Sequence, residues 1–252
     1  MMSQKEKNSA APPVETISGG LIDKNTPFTT VEEYKMLRTA VTFAAAVNSG
    51  KCKIIGITSP LTSDGKSVTC MNLAVTFAMT SAKVLLVDCD LRKPVIAQYF
   101  SFAPLPGISN VIAGTCPIKK ALREVSHNGA TFDVITSGDI PPNPSELLGS
   151  EKAEKLFAEL AESYDYIFVD LPPTLVVSDP IVISKLLSGL IIVVRSGQTK
   201  RADVKRSLDK LKIADANVLG FVLNGIPRTG MRRYYTYRHG YGYGYGHSKK
   251  QE

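Results

Sequence analysis

Two apolar runs in this chain stop abruptly on aspartate: Val84-Leu-Leu-Val87 runs into Asp88, and Tyr166-Ile-Phe-Val169 runs into Asp170. Short, near-continuous apolar runs suit strands whose two faces are both covered by helices, the condition found in parallel sheets. Patterns of the same kind recur along the chain. Strands are expected at Lys53 to Thr58, Lys83 to Val87, Phe132 to Thr136, Tyr166 to Val169, Leu190 to Val194 and Val218 to Leu223. Helices are expected from about Thr29 through Val41, at Ser67 to Met79, at Ser150 to Ser163, near Asp179 to Leu187 and at Arg201 to Lys212, with weaker structure between Ile108 and Leu122. Strand and helix in turn predict an α/β fold, doubly wound around a mostly parallel sheet. Ligands of such sheets bind beyond the carboxyl ends of the strands, so the residues just past each run are the candidates for function.

Composition narrows the class. A chain of 252 residues with 44% hydrophobic content can bury one sizeable core. Apolar runs such as Leu190 to Val194 fall far short of the roughly 20 residues of a membrane span. Met1 to Thr16 has no apolar segment of the secretory type, so a cytoplasmic protein is expected. Cys52, Cys70, Cys89 and Cys116 show neither CxxC pairing nor a metal-like spacing to His and are read as reduced thiols. The formal charge of +7 gathers after Ile226, where Arg228, Arg232, Arg233, Arg238, Lys249 and Lys250 face Glu252 alone. Three regions follow: a flexible segment over residues 1–25, a folded domain over 26–228, and a disordered tail over 229–252.

The segment Thr58-Ser-Pro-Leu-Thr-Ser-Asp-Gly-Lys-Ser67 lies between an expected strand and helix, the setting of a phosphate loop. Backbone N–H groups from Ser63, Asp64, Gly65, Lys66, Ser67 and Val68 would cradle phosphates at a helix N-terminus. Lys66 would neutralise the β and γ oxygens of ATP, and the Ser67 hydroxyl would ligate Mg²⁺. The usual pattern needs Gly at position 60, where Pro60 stands. Alone, a Gly-Lys-Ser turn before a helix is equally a bland structural feature. Asp88 and Asp90 sit two apart and point the same way if the strand continues, an arrangement that is costly without a cation or a proton to share. A solvated strand-end turn is the plain alternative. Asp170, followed by Leu-Pro172-Pro173, would hold Mg²⁺ through water. Three such strand ends together favour a nucleotide site. Asn224, ending the last expected strand, is a candidate for contact with the base.

Two further patterns stay open on residues alone. Six tyrosines (Tyr234, Tyr235, Tyr237, Tyr241, Tyr243, Tyr245) crowd the tail with glycine between the later ones. Such a run fits a kinase substrate, an aromatic–basic contact with nucleic acid, or a spacer. Glu32, Lys35 and Arg38 follow i, i+3, i+6 spacing on one helical stripe, which ordinarily marks a salt-bridged exposed face.

Taken together, Gly65-Lys66-Ser67, Asp88-x-Asp90-x-Arg92, Asp170-x-Pro172-Pro173 and the tyrosine tail resemble the bacterial tyrosine kinases. Within that family the likeness is to the free-standing cytoplasmic kinases of capsular and exopolysaccharide synthesis, over roughly Thr29 to the C-terminus. The resemblance implies a P-loop NTPase fold of the ParA/MinD-like, deviant Walker type. It also implies an ATP- and Mg²⁺-dependent protein tyrosine kinase that phosphorylates its own tail in trans as well as other protein tyrosines. Asp88 would assist deprotonation of the acceptor hydroxyl, Asp90 and Asp170 would organise Mg²⁺ with Ser67, and Lys66 would serve ATP, with Arg92 or Lys93 neutralising transferred charge. A ring homo-oligomer is implied through Glu32, Lys35 and Arg38, with Lys35 standing where the family motif has Arg. A membrane-bound activator of the polysaccharide co-polymerase type would recruit the chain to the inner face of the membrane, and no nucleic-acid partner is expected. A basic tail would be drawn to an acidic site, and phosphorylation would weaken that docking by reversing its charge. The alternative is a ParA/MinD-like switch ATPase, whose signature Lys would occupy position 61, where this chain has Leu61. The chain also departs from the kinases at Thr62-Ser63-Asp64, where Pro-Gly-Glu is common, and loss of that Gly restricts the loop.

Overall fold

The computed structural model describes residues 20–46 and 50–227. Helix α1 (Phe28–Ala45) leads into β1 (Lys53–Thr58), α2 (Lys66–Ala78) and β2 (Val84–Asp88). Short helices α3 (Ile96–Tyr99), α4 (Ile108–Ala113) and α5 (Ile118–Ala121) precede a hairpin of β3 (Leu122–His127) and β4 (Ala130–Ile135). Helices α6 (Pro144–Leu148) and α7 (Glu151–Ser163) lead to β5 (Tyr166–Asp170), and α8 (Asp179–Ile183) to β6 (Gly189–Arg195). Helix α9 (Arg201–Ile213) and β7 (Val218–Asn224) complete the body.

The seven strands form one sheet in the order β3-β4-β2-β5-β1-β6-β7. Every pairing is parallel except β3 with β4. The doubly wound, mostly parallel architecture is therefore as expected. Registers Val87↔Val169 and Asp88↔Asp170 bring the two aspartate-ended runs side by side at the carboxyl ends of two interior strands. The strand β1, which feeds the phosphate loop, lies on the other side of β5.

Helix α2 is pressed into the sheet so closely that Thr69 to Ala78 are all buried. Its Phe77 ring lies 4.4 Å from Tyr166 and 5.0 Å from Phe168, centroid to centroid. A second layer, with Leu156, Phe157 and Leu160 of α7, covers the opposite face. Helix α7 starts as its sequence suggests, with the Ser150 hydroxyl accepting from the Ala153 N–H at 3.3 Å.

Three local expectations are corrected. The β3 strand begins where the expected weak structure ends and fills a stretch for which no strand was expected, because Leu122-Arg-Glu-Val-Ser-His127 is mostly polar and occupies the sheet edge. Its turn is formed by Asn128 and Gly129, at φ 49° and 77°, the left-handed pair that a tight hairpin demands. Helix α1 begins at Phe28 after Pro27, with Thr29 and Thr30 inside its first turn and no side-chain cap. Finally, the packed body reaches into the segment expected to be flexible. Leu21 and Ile22 are buried, and Asn72 on α2 fastens them by accepting from Ile22 N–H at 2.8 Å and donating to Gly20 O at 2.8 Å. Residues 1–19 and the whole tyrosine tail, Tyr234 to Tyr245, lie outside the described residues.

Candidate active site

The loop after β1 turns on Gly65. Its φ of 98° lies in the left-handed region, and a Cβ there would stand 1.9 Å from Asn224 Nδ2. That amide donates to the Asp64 carbonyl at 2.9 Å, so the loop rests on the end of β7. Asp64 is itself fully buried. One of its carboxylate oxygens accepts from Leu61 N–H at 3.1 Å, the other from Thr199 Oγ1 at 2.8 Å. Ser63, a non-glycine residue, adopts φ 65°, and Arg195 Nη1 donates to its carbonyl at 3.1 Å. The loop therefore holds a non-glycine residue in a left-handed conformation that costs roughly 1–2 kcal/mol.

At the start of α2, Lys66 reaches across to the neighbouring strand ends. Its Nζ lies 2.8 Å from Asp90 Oδ2, 3.3 Å from Asp170 Oδ1 and 3.1 Å from Ser67 Oγ. Burial on its own would lower the lysine's pKa, but Asp170 and Asp90 outweigh it and raise it. The ammonium is thus fixed in its charged form. Asp170 is fully buried. Desolvation pushes its carboxyl up, against the opposing pull of Lys66.

Asp88 is also sealed. One carboxylate oxygen accepts from Asp90 N–H at 3.2 Å and the other from Ile96 N–H at 3.1 Å. Burial, followed by the charge of Asp170, pushes it up to about 8. Asp90 lies past the strand end, so the period-2 rule does not govern it; the Asp88 turn places it instead. Asp90 Oδ1 accepts from Lys93 N–H at 3.0 Å, leaving Oδ2 for Lys66.

Above this cluster opens a cavity of about 500 Å³, bordered by Ser63, Gly65, Lys66, Ser67, Val68 and Asp90 among the residues singled out from sequence. Asp64, Asp88, Asp170 and Asn224 do not border it. Asn224 stands beneath the loop as its prop, with its amide already engaged. The rim is basic rather than acidic: Arg92, Lys93 and Arg195 border the opening, while Asp88 and Asp170 are shut away. This corrects the expectation that an acidic site attracts a basic tail. Charge reversal by phosphorylation then gives no reason for release from this rim.

Three contributing residues were missed in the sequence. Arg195 ends an apolar run, as Asp88 and Asp170 do, so the strand-end rule would have found it. Asp179, read only as a helix start, is fully buried and accepts a two-pronged pair from Arg92, Nε at 2.8 Å and Nη2 at 3.0 Å; Ser145 Oγ also donates to it. Thr199 carries no sequence signal at all.

The oxygen donors suit Mg²⁺. Among the described residues no group of three or more His, Cys, Asp or Glu could hold a metal by itself. Magnesium needs no such cage: one or two carboxylates, a hydroxyl and phosphate oxygens suffice. Asp90, Asp170 and Ser67 supply that set around the position now taken by the Lys66 ammonium. On α1, Lys35 Nζ pairs with Glu32 Oε1 at 2.7 Å, and Arg38 Nη1 donates to Thr76 O on α2 at 2.6 Å. Phe28 and Phe43 on the same helix are largely exposed. Among the described residues, no helix is long and apolar enough to cross a membrane.

A family profile described as an AAA domain matches residues 52–203. The chain is 36% identical over 194 residues to tyrosine-protein kinase YwqD of Bacillus subtilis, covering 77% of this chain and 80% of YwqD. It is 33% identical over 222 residues to the putative tyrosine-protein kinase CapB of Staphylococcus aureus, covering 88% and 96%. By contrast, it spans 28% of the length of tyrosine-protein kinase ptk of Acinetobacter johnsonii, at 32% identity. Among solved structures, the kinase domain of the Escherichia coli tyrosine kinase ETK superposes with a TM-score of 0.74 at 32% identity, covering 90% of this chain and 87% of that one. MinD of Pyrococcus horikoshii, solved with Mg-ADP, superposes at 0.57 with 21% identity, covering 72% and 76%. That second likeness bears on the fold alone.

Proposed function

Because this chain belongs to the bacterial tyrosine-kinase family, we propose that it transfers the γ-phosphoryl group of ATP to tyrosine hydroxyls, its own tail tyrosines among them. The observation that carries this reading is Lys66, buried and held within 2.8 Å of Asp90 and 3.3 Å of Asp170 at the base of an open cavity. Two carboxylates, a hydroxyl and one cation at the phosphate end of a helix form a phosphoryl-transfer site with little else to do. Leu61 occupies the position where a switch ATPase would present its signature lysine, which favours the kinase.

In the reaction, the Lys66 ammonium leaves the aspartates for the β and γ oxygens of ATP. Asp90, Asp170 and Ser67 are then free to hold Mg²⁺, which when bound supplies charge neutralisation for the transferring group. The acceptor Oη forms its bond to the γ-phosphorus as the bond to the β–γ bridging oxygen breaks, and ADP departs with that electron pair. The phenolic proton passes to the Asp90 carboxylate, which borders the cavity, while Asp88 holds the Asp90 backbone in place through its accepted N–H. Arg92, oriented by Asp179, and Lys93 stand at the rim to stabilise the transferred charge.

Transfer runs between chains. The α1 helix, with Glu32, Lys35, Arg38 and the exposed Phe28 and Phe43, is the surface through which copies assemble into a ring. The chain works in the cytoplasm, held at the inner membrane face by an activator of the polysaccharide co-polymerase type, in capsular or exopolysaccharide synthesis. A mixing experiment tests the intermolecular step. Lys66→Met chains with intact tails are combined with active chains whose six tail tyrosines are Phe, and labelled ATP is added. Label on the Lys66→Met tails is the expected result; tails that stay unlabelled in the mixture, while a wild-type chain labels itself, would refute transfer in trans.

A further inference from the structure

Helices α7 and α9 pack on the same face of the sheet but carry unlike charge. Helix α7 mixes signs, with Glu151, Glu154, Glu159 and Glu162 against Lys152 and Lys155, and it pairs Lys155 with Glu151 at 3.3 Å. On α9 the exposed Arg201, Lys205 and Lys212 follow i, i+4, i+11 spacing, which puts them on one stripe. Among the described residues none of these three forms an ion pair. Of the helix's two carboxylates, Asp203 is buried and taken by Arg206 at 2.6 Å, and Asp209 alone is exposed with the cations. A basic stripe is ordinarily a solvated face. What sets this one apart is the surface beside it.

Strand β7 ends the sheet, and its register with β6 sets Phe221 beside Ile192 and Leu223 beside Val194. Ile192 and Val194 belong to the face that α9 covers through Leu208 and Leu211, so Phe221 and Leu223 point to that face as well. The helix leaves them uncovered: Phe221 is 51% and Leu223 52% exposed. At the far end of α9, Ile213 is 87% exposed. Neighbouring elements thus place a stripe of cations next to large apolar side chains. Water suits the cations but not the apolar groups, and a patch of this kind marks a surface that something covers. The positive balance also continues in sequence beyond Pro227, the last described residue, with Arg228, Arg232 and Arg233.

We propose that α9 and the adjoining edge of β7 form a docking surface for an anionic lipid bilayer. The cations meet headgroup phosphates, while Phe221 and Leu223 enter the boundary between headgroups and acyl chains, the division of labour of an interfacial surface. Nucleic acid would engage the same stripe through its phosphates but offers nothing to aliphatic Leu223 and Ile213. The apolar groups therefore decide for lipid. None of these residues borders the cavity above Lys66, so a chain lying on the membrane by this face keeps that cavity open. The inference goes beyond the kinase reading and does not depend on phosphoryl transfer: it gives the chain a hold on the membrane of its own, besides that of an activator.

The test is sedimentation of the full-length chain, without activator, with vesicles of phosphatidylcholine alone and of an equal mixture of phosphatidylcholine and phosphatidylglycerol. Three variants accompany it: Lys205→Glu with Lys212→Glu, Lys205→Arg with Lys212→Arg, and Phe221→Ser. All three positions are exposed, so the fold should survive, which circular dichroism and an unchanged Kd for a fluorescent ATP analogue check. The wild type should sediment with the mixed vesicles only, and less so as salt rises. A cation at such a surface strengthens binding about fivefold, so the Glu pair should weaken partition by at least about 25-fold. The Arg pair should bind as the wild type does, and Phe221→Ser should bind several-fold more weakly. A wild type that ignores the mixed vesicles overturns the proposal. So does a Glu pair that binds undiminished, which would assign binding to the arginines of the tail, or a Phe221→Ser chain that binds as the wild type does. Duplex DNA bound through Lys205 and Lys212, with the vesicles left unbound, would overturn it in favour of nucleic acid.

Discussion

Gly65→Ala is the sharpest probe of how the phosphate loop is built. At φ 98° an L-residue carries a left-handed penalty of roughly 1–2 kcal/mol. The new Cβ would also stand 1.9 Å from Asn224 Nδ2. The carboxamide must move, and with it goes the 2.9 Å hydrogen bond to Asp64 O, worth about 1 kcal/mol. The total is about 2–3 kcal/mol. In an Asn224→Ala background the amide is already gone, and the remaining Cβ contact of 3.9 Å is ordinary. There Gly65→Ala should cost only the backbone term, about 1–2 kcal/mol. Urea unfolding of the four proteins closes the cycle, with a coupling of about 1 kcal/mol expected. Additivity within about 0.4 kcal/mol would refute the idea that Asn224 props the loop. Fluorescent-nucleotide binding should weaken in both single variants.

Three further outcomes follow from the same contacts. Asp179→Asn keeps one acceptor for Arg92 but loses the two-pronged pair, and should destabilise the fold by about 1–3 kcal/mol, read as a lower urea midpoint; Arg92→Lys should reproduce the effect because an ammonium cannot fork, and a neutral Asp179→Asn would show the pair to be idle. Asp88, pushed up to about 8 by burial and Asp170, favours folding in its protonated form. Its contribution is full below the ordinary carboxylate range and is lost as pH rises through about 8, so metal-free urea midpoints should fall between pH 6 and 9, and Asp88→Asn should flatten that slope. Because Lys66 occupies Asp90 and Asp170, Mg²⁺ alone should leave Tm unchanged, whereas Mg²⁺ with nucleotide should raise it. A comparable rise with Mg²⁺ alone would mean the aspartates are free without ATP.

The sheet was legible because its central strands are buried on both faces and so leave unbroken apolar runs. Asp88 and Asp170 fell in register as two neighbouring run ends, and Gly65-Lys66-Ser67 at a third. What the runs could not reveal was which carboxylate faces the cavity. Asp88 spends both oxygens on the backbone of Asp90 and Ile96, a role set by the fold of residues 89–96 and invisible to spacing. Asn224 was correctly placed at a strand end but is turned under the loop, toward Gly65. Asp179 looked like a helix start because that is where it lies; only the approach of Arg92, 87 positions away, gives it a second task. The β3 edge strand escaped because a polar strand with one covered face carries little apolar signal, although its Asn128-Gly129 turn stood in plain view.

On the kinase reading, the cluster around Lys66 passes phosphate to tyrosine rather than to water. The most direct measurement is incubation of the full-length chain, and of Lys66→Met, with γ-labelled ATP and Mg²⁺, followed by mapping of the label by mass spectrometry. Label on tyrosines between Tyr234 and Tyr245, absent in Lys66→Met, is the predicted result. Phosphate released to solution with no label on the protein would contradict it.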